Sequence, residues 1–351
     1  MSVRTSSSGR IRTARPDRTL ARVIVLVTGG AGYIGGHVVD ALVGRGNDVV
    51  VVDDLSTGRA DRVPDGVALV RTDLSRPDCV AVLVEALARW GVTAVVHLAA
   101  RKKVAESVAR PAWYHEQNVV GTAHLLAAMA AAGTGRLVLS SSAAVYGSPD
   151  VPLVDEDTPP QPLSPYGETK LRCEELVAGA TAAGVRSVAL RYFNVAGART
   201  PLLRDDEEAN LVTTVLGRLA RGEAPQINGT DYPTPDGTCV RDLVDVRDVA
   251  EAHVAALHAL ASAAGPPTAE VLNIGTGHGV SVRQVVDRLC VLDGRQGPVD
   301  ELPRRVGDPA VVVAAVERAH ARLGWRASYG LDDVLHSAWS AARDEQVSRA
   351  R

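Results

Sequence analysis

Short apolar, β-branched runs alternate with longer stretches of helical spacing through the N-terminal half of the chain. Residues 22–28, 48–53, 67–74, 94–100, 136–142 and 187–194 read as strands. Most are apolar on both faces, as strands of a parallel sheet covered on both sides must be. Between them, residues 37–43, 79–90, 118–132 and 166–183 carry helical periodicity. Strands separated by single helices predict a doubly wound, parallel α/β sheet. Ligands bind such sheets at the carboxyl ends of the strands. Gly29, Asp53, Asp73, Ala99, Ser140–Ser142 and Asn194 all fall at those ends.

The texture changes after Asn194. Residues 198–240 hold Pro201, Pro225, Pro233, Pro235 and a charged cluster, Arg204-Asp-Asp-Glu-Glu208, and read as a cap rather than more sheet. Residues 242–260 return as a strand and a helix, 270–277 as a short strand, and 281–290 as a helix. The division expected is a disordered extension over 1–22, a Rossmann domain over 23–196 with a return segment at 242–262, a smaller substrate-binding α/β cap over 197–340, and a tail over 341–351.

Composition narrows the possibilities. No apolar run reaches the length of a membrane span. A net charge of −3 supplies no basic field for nucleic acid. Cys79, Cys173, Cys239 and Cys290 lie far apart, without a C-x-x-C pair, and read as free thiols of a reducing, cytoplasmic compartment with no metal site. The 1–22 segment is rich in Arg, Ser and Thr and has no apolar core, so a secretory signal is not expected.

Two local patterns carry chemistry. Gly29, Gly32 and Gly35 lie between the first strand and first helix, a spacing that gives a tight turn and seats a pyrophosphate on a helix N-terminus. Asp53 ends the second strand, where a carboxylate takes ribose hydroxyls and repels a 2′-phosphate, so NAD is expected over NADP. The second pattern is Tyr166-Gly-Glu-Thr-Lys170 behind Ser164-Pro165, which places a phenol and an ammonium on one helix face. A nearby cation lowers a phenol's pKa. Only three of the 38 basic residues are lysines, Lys102, Lys103 and Lys170. Taken alone, the Tyr–Lys pair also fits a solvated helix face.

Several longer motifs resemble the extended short-chain dehydrogenase/reductase family, and within it the UDP-glucose (UDP-galactose) 4-epimerases. They are Thr28-Gly-Gly-Ala-Gly-Tyr-Ile-Gly35, Lys102-Lys-Val-Ala-Glu-Ser-Val108, Asn118-Val-Val-Gly-Thr122, Ser140-Ser-Ser-Ala-Ala-Val-Tyr-Gly147, Ser164-Pro-Tyr-Gly-Glu-Thr-Lys170, Arg191-Tyr-Phe-Asn194, the stretch from Asn228 to Asp242, and Pro303-Arg-Arg-Val-Gly-Asp308. The 228–242 stretch is the most diagnostic.

The resemblance implies oxidation and re-reduction at C4 of a UDP-hexose, with Ser142, Tyr166 and Lys170 catalytic and NAD tightly held. It implies cofactor contacts from Gly29, Gly32, Tyr33, Ile34, Gly35, Asp53, Asp73, Leu74, Leu98, Ala99, Ala100, Lys102, Asn118, Tyr166, Lys170 and Tyr192. UDP-sugar contacts fall on Lys102, Ser142, Tyr166, Asn194, Asn210, Leu211, Arg241, Arg305 and Asp308. For Asn118 a helix N-cap is an equal alternative. Dehydratases of this family carry Asp-Glu where this chain has Ser142-Ala143, which argues against elimination of water.

Val244-Asp245-Val246, Ala100 and Val311 depart from the commonest epimerase pattern. Val311 in place of a bulky residue is expected to leave room for an N-acetyl group. A relative acting on UDP-glucuronate or a UDP-pentose, and a silent NAD-binding regulator, are the rival readings. The Ala- and Leu-rich helices at 118–132 and 166–183 are expected to pair in a homodimer.

Overall fold

The computed structural model describes residues 23–295, 297–305 and 307–349, the last five by their backbone alone. The extension expected over 1–22 lies outside them.

The strands in chain order are β1 (Ile24–Thr28), β2 (Asp48–Asp53), β3 (Ala68–Arg71), β4 (Ala94–His97), β5 (Arg136–Ser142), β6 (Arg186–Tyr192), β7 (Asn194–Ala196), β8 (Gln226–Asn228), β9 (Val240–Asp245), β10 (Ala269–Ile274), β11 (Gly279–Ser281), β12 (Asp300–Leu302) and β13 (Val311–Val312). Seven form a parallel sheet in the order β10-β6-β5-β4-β1-β2-β3. The order reverses between β1 and β4, which opens a crevice above their carboxyl ends.

Alternation along each strand divides the apolar core between two faces. Val25, Val27, Val96, Val138 and Leu190 pack with the helices Tyr33–Gly44 and Val246–Ser262. Leu26, Val95, Leu137, Leu139 and Ala189 pack on the other face with Cys79–Arg89, Gly121–Ala132 and Pro165–Gly179. The cap has its own apolar cluster, where the helices Leu211–Ala220, Val282–Leu292 and Leu331–Arg349 cover β7 and β9. β9 pairs with β7, β11 and β13.

Three expectations need correction. The strand at 269–274 is not part of the cap: Leu272 pairs with Leu190, making β10 the seventh strand of the main sheet. β10 thereby covers β6 and becomes the edge strand of the sheet. Residues 198–240 also contain a ten-residue helix, Leu211–Ala220. A capping box starts it, in which Asn210 Oδ1 accepts from the Thr213 amide at 3.0 Å and Thr213 Oγ1 accepts from the Asn210 amide at 3.3 Å. Finally, the helix Leu331–Arg349 runs through the boundary expected at 341. Among the described residues no helix is long and apolar enough to cross a membrane.

Three histidines sit neutral in the core. His37 accepts the Arg199 amide on Nε2 at 3.0 Å, so its other nitrogen donates to the Tyr33 carbonyl. His97 lies between Thr28 and Thr122, at 2.7 and 3.0 Å. His253 meets the Tyr192 hydroxyl. Burial lowers the pKa of His37 and His253 to about 4 and of His97 to about 3. The unfolded chain therefore binds protons at a higher pH than the folded one, and stability falls with pH from about 6.5 downward. Between pH ~7 and ~5, His97 alone should cost about 2 kcal/mol. Urea midpoints of wild type and His97→Gln should converge over that window. Parallel pH profiles would contradict this.

Candidate active site

The turn after β1 is shaped by backbone contact. Gly29 has φ +70°, and a Cβ there would lie 2.7 Å from the Ala99 nitrogen. A Cβ on Gly35 would lie 2.0 Å from the Gly29 carbonyl oxygen. Gly32 caps the helix Tyr33–Gly44 without a side chain, and the first turn of that helix lines a cleft of about 630 Å³. Exposed first-turn amides attract anions.

Asp53 is buried at the mouth of β2. Its carboxylate accepts from the Ala31 amide at 3.0 Å and the Leu55 amide at 2.9 Å. Burial raises its pKa, and those two amide bonds oppose the rise. Asp73, Leu74, Leu98, Ala99 and Ala100 line the same cleft. Asp73 also accepts from the Ser75 amide and hydroxyl, at 2.9 and 2.8 Å. This cradle fits a dinucleotide: a turn that tolerates no side chain, a helix N-terminus, and a buried carboxylate beside it.

At the other end of the cleft stand Ser142, Tyr166 and Lys170. Ser164 Oγ caps their helix by accepting the Gly167 amide at 3.2 Å, with Pro165 in the first turn. The Tyr166 amide donates to Ser107 Oγ at 3.1 Å, which anchors the same turn. The phenol of Tyr166 is pushed above its usual range by burial, while its hydrogen bond with Ser142 pulls it down. Lys170 is 5% exposed and donates to the Ser140 carbonyl at 2.8 Å. Burial lowers its pKa, and Cys173 and Glu174 oppose that. Burial and the Ser142 hydrogen bond are the largest influences on the phenol in this geometry.

A buried ion pair backs the triad. Arg191 of β6 donates to both oxygens of Glu174, at 2.9 and 2.6 Å. Ser141 Oγ also donates to Glu174. Lys170 and Glu174 thus tie one helix to consecutive residues of β5. Glu174 was not expected; its i+4 spacing from Lys170 was the available signal.

The remaining predicted residues divide. Tyr33 and Ile34 line the cleft, and the Tyr33 hydroxyl donates to the Gly197 carbonyl at 2.7 Å. Tyr192 lines it too, but its hydroxyl engages His253. Lys102 lines it with its ammonium at 3.2 Å from Asp205 and 3.5 Å from Glu207. Asn194 and Asn210 line both the cleft and an adjoining recess that includes Leu211 and Arg241. Arg241 holds Asp308, which itself lines neither cavity, at 3.3 Å.

Asn118 is a correction. It does not line the cleft, and it is not an N-cap, because it sits inside a π-helical turn, His115–Val120. It is 1% exposed, accepts from the Arg101 amide at 2.7 Å and donates to Thr169 Oγ1 at 2.9 Å. Its side chain is used up in bracing the loop after β4. Arg305 is another: it is exposed on the loop before Asp308 and lines neither cavity. Val311 belongs to β13, paired with Val240, and is likewise outside both linings. Ala143 packs into an apolar cluster with Tyr146, Val154 and Phe193, leaving no acid–base pair at that position.

The profile of the NAD dependent epimerase/dehydratase family matches residues 25–275. A UDP-glucose 4-epimerase of Azospirillum brasilense is 42% identical over 95% of this chain and 97% of its own. One from Streptomyces lividans is 44% identical over 90% of this chain and 94% of its own. A UDP-glucose-4-epimerase from Stenotrophomonas maltophila, solved with bound NAD and formylated UDP-arabinopyranose, superposes with a TM-score of 0.87 at 37% identity, covering 94% of this chain and all of that one.

The Gly35 contact is directly testable. Gly35→Ala should lose bound dinucleotide on purification, whereas Gly44→Ala, where a Cβ meets nothing within 4 Å, should keep it. Nucleotide released by denaturation and quantified by chromatography reads this out. Equal retention by the two variants would refute the role given to the turn.

Proposed function

The chain belongs to the NAD dependent epimerase/dehydratase family, and we propose that it reversibly epimerises a UDP-hexose at C4 through a 4-keto intermediate, with NAD held in the cleft throughout. The observation that carries this reading is the meeting, in one cleft, of a dinucleotide cradle with the Ser142–Tyr166–Lys170 set. Bound NAD supplies a hydride acceptor that later becomes the donor.

The residues of the chain do the rest. Tyr166, as phenolate, takes the proton of the C4 hydroxyl and returns it after the keto sugar has presented its other face. Ser142, hydrogen-bonded to Tyr166, holds the C4 oxygen in place. Lys170 brings positive charge to a buried site and so favours the phenolate over what burial alone allows. Asp53 takes the adenosine ribose, and its charge selects NAD over NADP. Arg241, with Asp308 beside it, faces the UDP side, where a guanidinium suits a diphosphate and a carboxylate suits ribose hydroxyls. Asn194, Asn210 and Leu211 complete that end.

Galactose metabolism in the cytoplasm is the setting this reading favours. A homodimer is proposed through the helix Gly121–Ala132, on which Ala123, Ala127 and Ala130 remain exposed along one face. Ala127→Arg should shift sedimentation from dimer to monomer; a dimer that persists unchanged would discard this interface.

The decisive experiment incubates the protein, without added NAD, with UDP-galactose, UDP-GalNAc, UDP-galacturonate and UDP-arabinose in turn. UDP-galactose should convert to UDP-glucose. Tyr166→Phe should lower kcat by about 10²–10⁴-fold while retaining NAD. The acid limb of the kcat profile should rise with pH through the Tyr166 pKa, and Lys170→Met should move that limb to higher pH. Conversion of none of the four, or a Tyr166→Phe enzyme as fast as wild type, would overturn the assignment.

A further inference from the structure

The acidic cluster that opens the cap is unused by the proposed chemistry, yet it touches both lips of the cofactor cleft. Lys102 and Lys103 stand on the loop after β4. Lys102 lies 3.2 Å from Asp205 and 3.5 Å from Glu207, and Lys103 lies 2.7 Å from Glu207. On the opposite lip, beyond β2, Arg62 and Arg59 hold Asp206 at 2.6 and 3.2 Å.

The same side supports the backbone of the segment. Arg62 Nε donates to the Leu202 carbonyl at 3.1 Å and Nη2 to the Arg204 carbonyl at 2.7 Å. Arg204 in turn pairs with Asp206 at 2.5 Å. Arg62 and residues 205–207 line the same cleft as Gly29, Gly32 and Gly35. Lys102 also lies over the Tyr33 ring, 5.7 Å from its centroid, at the helix N-terminus where the pyrophosphate is expected.

The geometry points to residues 205–207 as a strap that retains the dinucleotide: Asp205 and Glu207 are fastened to one lip and Asp206 to the other. This rests on the reading of the cleft as an NAD site. It goes beyond that reading in assigning retention to cap residues that carry no catalytic proton. An enzyme that must return a hydride to the same sugar gains from a cofactor that leaves slowly. Opening the strap means parting ion pairs whose cations are partly exposed, Lys102 at 42% and Lys103 at 44% of the side chain. Such pairs are screened by salt. Release should therefore depend on ionic strength.

The test follows release of resident NAD from purified holoenzyme by exchange against excess radiolabelled NAD. Wild type should release it several-fold faster at about 1 M than at about 0.1 M NaCl. Asp205→Asn/Glu207→Gln should release it about tenfold faster at the lower salt and lose most of the salt effect. Asp206→Asn should act in the same direction from the other lip. The wild-type salt series stands even where a variant folds poorly. Salt-independent release from an enzyme that epimerises normally, or variant release at the wild-type rate, overturns the strap alone. A chain that neither holds nor takes up NAD overturns the functional reading with it.

Discussion

A buried ammonium must find acceptors, and the active site is built on satisfying one. Lys170 is 5% exposed and spends its reach on the Ser140 carbonyl. Burial without that contact would be costly. The bond locks the helix Pro165–Gly179 against β5, and Glu174 one turn later repeats the attachment through Ser141 and Arg191. With both fastenings in place, Ser142 and Tyr166 have no freedom to drift apart. The ion pair is a positional device more than a source of stability, since a buried pair roughly offsets its own desolvation. Removing one partner would strand a charge in the core.

The cofactor half of the cleft obeys a different constraint, the closeness of backbones. The turn after β1 is pressed against the Ala99 backbone and against itself, so glycine is dictated by space rather than by flexibility alone. Asp53 gains from the same closeness: its carboxylate binds the Ala31 amide of the turn and the Leu55 amide of its own loop. The carboxylate proposed to take the ribose thereby also stabilises the glycine turn. Asn118 plays a comparable part from within the protein, bracing the loop that carries Lys102.

The cap is joined to this frame by charge and by sheet. β7 follows β6 directly but pairs with β9, so one continuous stretch of chain passes from the seven-stranded sheet into the four-stranded one. Asn194 stands at that junction and lines both cavities. The acidic strap and its cations make a second, solvent-accessible connection.

The strand–helix alternation, the glycine turn with Asp53, and the Tyr166–Lys170 pair were legible in the sequence because each follows from local periodicity or fixed short spacing, whereas Ser142 was marked only by the family resemblance. The one helix read as loop, 211–220, was hidden by the prolines on either side rather than by its own pattern, since Asn210 and Thr213 form a capping box and Val212, Val215 and Leu219 share a face. What folding alone decided are the relations between residues far apart in the chain. β10 enters the main sheet across some eighty residues, Arg191 meets Glu174, Lys102 meets Asp205, and Asn118 turns inward while Arg305 stays out. Sequence spacing determines which groups share an element's face. Which of those groups point at one another, and which are consumed by holding the scaffold together, depends on packing between elements that no local pattern encodes.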